Sequence, residues 1–219
     1  MNNAVLRARA RMNLGGSLFH SDWLTALAIC LVAGVLAPNF SSLSRVVDRN
    51  TYLVLSGISL LISIVVQPAL TFGLDVAFLK KARGAARFEF EDLFKGFSVY
   101  GGCVALSFMQ GLIVLLWFLI PIAGIYFGIK KSYSYALAMY FKVDYPDATW
   151  RECLDRSTLM MEGYRWQLFC LQFSFLGWII VGALCCGVGT LWVTPYMNAS
   201  TANFYEARRI QQQSVLGTL

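Results

Sequence analysis

Long apolar runs constrain this chain more than any other feature. Several reach or approach the roughly 18 to 20 residues that a helix needs to cross a bilayer. The rest of the chain cannot offset them. Of 219 residues, 58% are hydrophobic and only 14% charged, whereas a soluble domain carries about 25% charge. The expected fold class is therefore all-α, a polytopic membrane helix bundle. Transmembrane helices are predicted near 22–37, 52–77, 97–119, 121–142, 167–186 and 189–207, with tight turns at Pro121 and at Gly187 to Gly189. No Pro/Ser-rich linker or low-complexity tract divides the chain, so 1–219 reads as a single integral membrane domain.

The N-terminus imitates a secretory signal. Arg7, Arg9 and Arg11 precede the apolar run from Trp23 to Ala37, which ends in "VLA". Pro38 follows, and proline after a cut site disfavours cleavage. The segment is read as an uncleaved first helix.

The net charge of +6 finds its explanation in topology rather than in nucleic acid. Basic residues collect in alternate connections. One side takes Arg7, Arg9 and Arg11; Lys80, Lys81, Arg83, Arg87 and Lys95; Lys142, Arg151, Arg156 and Arg165; and Arg208 and Arg209. The other takes only Arg45 and Arg49. The positive-inside rule then puts both termini in the cytoplasm. No basic stripe with interleaved aromatics exists to bind nucleic acid.

The chain also repeats itself. "LFKGFSVYGGCVALSF" (93–108) echoes "LMMEGYRWQLFCLQFSF" (159–175), pairing Gly96 with Gly163, Ser107 with Ser174 and Phe108 with Phe175. Gly124 pairs with Gly189 and Tyr140 with Tyr205. A fainter echo joins 67–83 to 194–209. Helical hairpins thus recur three times in one orientation, as in many transporters and in any duplicated hairpin.

Between the second and third hairpins, Trp150, Cys153, Leu154, Met160, Met161 and Tyr164 fall near helical spacing, with Glu152 and Arg156 four apart on the wet side. An amphipathic helix over about 147–165 is expected to lie on the cytoplasmic interface, with Trp150, Arg165 and Trp166 as interface anchors. "AVLRARARMNL" near the N-terminus is read the same way.

Catalytic patterns are missing from the sequence. His20 is the lone histidine, HExxH, GxSxG and P-loop motifs do not occur, and no carboxylates pair inside apolar segments. The six cysteines lack metal-ligand spacing. The expectation is a protein that is not an enzyme and uses no cofactor or metal.

The later part of the chain resembles a known family. It carries Gly163-Tyr164-Arg165-Trp166, then Ser174, Phe175, Gly177 and Trp178, then Gly187 and Gly189. Pro195-Tyr196 and Phe204-Tyr205-Glu206 complete the pattern. Gly128, Lys131, Ser134 and Tyr135 match within the fourth span. This pattern resembles the bacterial integral membrane family catalogued as domain of unknown function 975. Where the family usually has proline, this chain has Met139. The resemblance implies a multi-pass protein of the bacterial inner membrane and no established activity.

Lys130 and Lys131 are the sharpest anomaly. If 121–142 crosses the bilayer, Lys131 lies on the order of 15 Å from the Pro121 end, near midplane. An unpaired charge there costs roughly 2.5–3.5 kcal/mol. Lys130 shares a face with Phe127, Ser134, Leu137 and Phe141; Lys131 shares one with Gly124, Gly128, Tyr135 and Ala138. The Gly124–Gly128 spacing favours close helix approach, so Lys131 is expected to face the bundle and Lys130 to snorkel. Lys131, Ser134, Tyr135 and Asp75 form the candidate polar or anion site. Three outcomes stand: a tilted helix with both lysines wet, a polar cavity using Lys131, or a Lys131–Asp75 pair. The expected partners are membrane lipids and an anionic ligand or lipid head group. Two functional classes follow: transport or lipid and anion handling near Lys131, or a non-catalytic scaffold or assembly factor acting through 147–165.

Overall fold

The computed structural model describes residues 2–16, 21–35, 48–85, 87–119, 123–184 and 188–216. The helices are α1 Asn3–Asn13, α2 Ser21–Val35, α3 Arg49–Ala82, α4 Tyr100–Phe118 and α5 Ala123–Tyr135. They continue with α6 Ala138–Asp144, α7 Trp150–Met160, α8 Arg165–Phe173, α9 Leu176–Leu184 and α10 Val188–Leu216. A 3₁₀ segment, Phe90–Phe97, precedes α4. No strand occurs among the described residues, as the all-α expectation requires. Among them one helix, α4, is long and apolar enough to cross a membrane.

Two of the predicted spans are interrupted. The stretch 121–142 divides into α5 and α6, and 167–186 into α8 and α9. Pro121 and Gly187, the predicted turn residues, lie outside the described residues. At the second break the Ser174 hydroxyl donates to the Leu171 carbonyl at 2.6 Å, and the Phe175 N–H reaches back only three residues, to Gln172. A side chain competing for backbone acceptors in this way loosens the ladder. Phe175, 1% exposed, anchors the bend edge-on against Tyr196.

α3 is longer than predicted. Its 34 residues span about 51 Å at 1.5 Å each. Asp48 caps it, accepting from the Thr51 N–H at 3.3 Å and the Thr51 hydroxyl at 2.7 Å. The helix ends at Arg83 before Gly84, whose φ of +97° suits glycine. The C-terminal half of α3 is the spine of the molecule. Leu70, Ala77, Phe78 and Leu79 pack with Leu6 and Ala10 of α1, Tyr140 of α6, Leu168 and Leu171 of α8, and Phe204 and Tyr205 of α10.

The 3₁₀ segment lies backbone to backbone on this spine. A Cβ at Gly73 would sit 2.0 Å from the Leu93 carbonyl oxygen, and one at Gly96 2.0 Å from that of Ala69. Both glycines are needed for that approach. The contact brings Asp92, 1% exposed, onto Lys80 at 2.6 Å and onto Lys95.

α7 departs from the surface-lying helix expected over 147–165. It is shorter, and its apolar face is covered: Cys153, Leu154, Ser157 and Met160 are buried against α4, α5 and α6. Those elements offer a protein groove for the face that was assigned to lipid. A capping box starts it. Thr149 accepts from the Glu152 N–H, and the Glu152 carboxylate accepts from the Thr149 N–H at 2.8 Å. These bonds, the Thr149 N–H first, hold the Glu152 carboxyl below its ordinary value. Gly163, with φ +76°, then turns the chain into α8.

Candidate functional site: the break between α5 and α6 and the ion-paired helix ends

α5 stops at Tyr135 and α6 starts at Ala138. A helix broken in its interior leaves carbonyls and N–H groups without partners. Ser157 of α7 serves both sides of the gap. Its hydroxyl donates to the Ser134 carbonyl at 2.6 Å and accepts from the Leu137 N–H at 3.2 Å. The interruption therefore forms without a proline at Met139.

The predicted residues gather here in part. The Ser134 hydroxyl donates to the Lys130 carbonyl and accepts from Arg165 Nε, each at 2.8 Å. Lys131 Nζ sits 5.5 Å from the centroid of the buried Tyr135 ring, a cation–π distance. Lys131 is half-buried and Lys130 exposed, in the order expected from their faces. Gly128 is buried, and a Cβ there would meet the Phe118 ring at 3.1 Å, so the glycine face packs on α4. Asp75 is not part of this site. Its hydrogen bond is to Tyr140, because α3 turns that position toward α6. The expected Lys131–Asp75 pair is not formed among the described residues.

The three predicted anchors divide as well. Arg165 points to Ser134. Trp150, half-buried, has the Arg151 guanidinium 5.0 Å from its ring centroid. Trp166 is 72% exposed and stacks on Phe169 at 5.1 Å; Phe169 stacks on Phe173 at 5.8 Å. These rings form an outward aromatic ladder along α8.

A second polar centre was not predicted. The C-terminal ends of α3 and α6 converge with Glu206 and Arg209 of α10 in one ion-pair network. Arg83 grips Asp144 through both Nη atoms at 2.7 Å and donates from Nε to Glu206 at 2.9 Å. Glu206 also takes Arg209 at 2.7 Å, and the Tyr205 hydroxyl donates to Asp144 at 2.8 Å. Beneath it the Tyr140 and Tyr205 rings stack at 5.5 Å. The two tyrosines paired by the sequence repeat thus lie on one another. A cavity of about 600 Å³ opens beside the network, lined by Asp144, Glu152, Arg156 and Arg209 among others.

Sequence reasoning also placed three buried cations in wet loops. Lys142, 5% exposed, donates to the Ala148 carbonyl at 2.6 Å and fills the space that Gly102 leaves by lacking a Cβ. Lys81 pairs with Asp22 at 3.0 Å and ties α3 to α2. The Arg208 guanidinium lies 3.2 Å from the Tyr164 ring centroid. The one available signal was the Gly101-Gly102 pair at the start of α4, too small a trace to find Lys142. Cys30, Cys103, Cys153 and Cys170 are free thiols, and no His, Cys, Asp and Glu grouping fit for a metal occurs among the described residues.

No curated protein and no solved structure matches the chain. Over residues 108–213, from the middle of α4 to the last turns of α10, the chain matches the family described as Protein of unknown function (DUF975), the family that its motifs resemble.

Proposed function

We propose that this is a multi-pass membrane protein that holds an anionic ligand or lipid head group at Lys131 and Arg165, in transport or lipid handling rather than catalysis. In this reading α2, α3, α4, α5 with α6, α8 with α9, and α10 make six passes, with both termini cytoplasmic. The convergence of the ends of α3 and α6 with Glu206 and Arg209 of α10 in one network supports it. These helices are the second, fourth and sixth passes, and an alternating topology brings their ends to one side. Exposed Leu112, Leu115 and Leu116 on α4 and Trp178, Ile180 and Val181 on α9 supply the lipid-facing surface.

One observation carries the ligand assignment. Lys131 lies over the Tyr135 ring and Arg165 donates to the neighbouring Ser134, and no carboxylate pairs with either among the described residues. Cations in apolar surroundings need a counter-charge, and an incoming anion would provide it. The scaffold reading through 147–165 loses its support, since the apolar face of α7 is already covered.

Two measurements test this. Cysteine probes at Asn50 should label from outside intact cells, and probes at Gln212 should not; labelling at Gln212 overturns the topology. Native mass spectrometry should find one anionic lipid or added anion fewer per chain on the Lys131→Leu variant than on Lys130→Leu. Equal retention by both overturns the site.

A further inference from the structure

An amphipathic groove lies away from Lys131, bounded by α1, α9 and α10. Its inner arm, about 550 Å³, is walled by Trp23 of α2, Trp178 and Val181 of α9, and Val193 of α10. Its outer arm, about 350 Å³, is walled by Arg7, Arg11 and Ser174. Arg11, Trp178 and Tyr196 line both arms, so the two are neighbours that share a wall. Each volume falls within the roughly 300–1,000 Å³ of ligand sites.

Why the groove exists follows from two glycines. A Cβ on Gly182 would lie 2.7 Å from the Thr190 N, and one on Gly189 2.6 Å from the Gly182 Cα. α9 and α10 therefore touch through backbone, and no side chain fills the angle where they diverge.

Its chemistry is divided along its length. Arg7 and Arg11 are one helical turn apart on α1, whose first turn carries no acid. The nearby carboxylate of Asp22 is committed to Lys81. Arg11 lies 5.7 Å from the centroid of the Tyr196 ring, which the Tyr196 hydroxyl ties to α1 through the Arg7 carbonyl at 3.4 Å. The apolar arm holds one polar atom out of keeping with it. Trp23 is 3% exposed, and its indole N–H has no hydrogen-bond partner among the described residues. A buried donor left unpaired costs about 1–3 kcal/mol, so the site is short of an acceptor oxygen.

We propose that this groove binds an anionic phospholipid. Arg7 and Arg11 hold the phosphate, the Trp23 N–H takes an oxygen of the phosphate or glycerol ester, and an acyl chain lies along Trp178, Val181 and Val193. A bare anion would satisfy the arginines but leave the apolar arm and the tryptophan unused. A neutral acyl chain would do the reverse. The proposal rests on the membrane-embedded reading above but uses neither Lys131 nor Arg165.

The test is native mass spectrometry of the full chain in detergent with phosphatidylglycerol, phosphatidylcholine of the same chains, or inorganic phosphate. The wild type should retain phosphatidylglycerol at least about tenfold over phosphatidylcholine, the scale of one charge-assisted hydrogen bond. The double variant Arg7→Gln/Arg11→Gln should bind one phosphatidylglycerol fewer per chain and lose that part of the preference, whatever is held at Lys131. Val181→Trp, which fills the apolar arm, should lose both lipids. Trp23→Phe keeps an aromatic ring and removes the donor, and should weaken phosphatidylglycerol severalfold without lowering the melting temperature. Equal retention of the two lipids by the wild type overturns the proposal. So does phosphate binding as tightly as phosphatidylglycerol, or an unchanged preference in the double arginine variant. Retention at Lys131 is read separately from the Lys130 and Lys131 variants, so failure of either site leaves the other measurable.

Discussion

The C-terminal half of α3 and the whole of α4 are neighbouring helices with opposite surroundings. α3 carries Asp75, Lys80 and Lys81 in that half and is buried along it, with Ala69, Leu70, Phe72, Ala77, Phe78 and Leu79 all in the core. α4 carries no charge, yet only 11% of its apolar window is buried. In water the more apolar helix would be the more deeply buried one. The inversion fits a chain whose outer solvent is lipid, where an apolar side chain gains nothing by turning inward. What α3 has instead is small residues and countercharges. Gly73 admits the 3₁₀ backbone, and Arg83 binds two acids from other helices.

The contrast can be broken at its tightest point first. Gly96→Ala forces a methyl group into the α3 backbone and is expected to cost about 3 kcal/mol or more. Gly111→Ala in α4 meets nothing within 4 Å and should be neutral or gain up to about 1 kcal/mol in helix propensity. Thermal and denaturant unfolding of the two variants in detergent decides this; equal losses would mean that α4 is as closely packed as α3.

Leu115→Lys probes the other side. Leu115 is 66% exposed, so a water-facing helix would accept lysine without effect. In lipid the same change should cost part of the roughly 2.5–3.5 kcal/mol that a midplane lysine costs, since Leu115 lies three residues from the end of α4. The readout is the fraction of protein that survives alkaline extraction with the membrane. An unchanged fraction would remove α4 from the bilayer.

A smaller effect is expected at the ion-paired ends. Asp144→Asn leaves Arg83 and Arg209 to share Glu206, and should cost about 2 kcal/mol, discounted because Arg83 is one-third exposed. Arg83→Leu combined with it should recover part of that loss in a double-mutant cycle. No coupling between the two would reduce the network to separate surface pairs.

The least effect belongs to the exposed cap of α7. The folded Glu152 carboxyl titrates below its ordinary value, so its contribution is complete above about pH 4.3. The contribution fades as pH falls through the folded value. Glu152→Gln should flatten this part of the acid unfolding curve. A curve identical to wild type would remove the capping box from the stability of α7.

Much of this was legible in the sequence, for reasons that differ by element. Helical class followed from apolar runs. The order of Lys130 and Lys131 followed from helical spacing alone, since neighbours on a helix point apart by about 100°. The repeat anticipated that Tyr140 and Tyr205 are equivalent, though not that they stack. Asp75 was the wrong partner for Lys131, because its facing depends on how α3 rotates against α6. The groove at Arg7 and Arg11 was invisible, since α1 and α9 lie far apart in the chain.

What the sequence by itself determined is whatever depends on local chemistry: which stretches are helical, where glycine must turn the chain, and which face of a helix is greasy. What only the tertiary structure decided is which faces meet. Ser157 heals a broken helix from another element, and Lys142 is buried because Gly102 yields the space. α7 hides the face that its own periodicity offered to lipid. Such pairings join residues tens of positions apart, and a buried charge or an unpaired carbonyl is satisfied by whichever group the packing brings within about 3 Å. Periodicity says that a partner is needed; only the assembled helices say which one arrives.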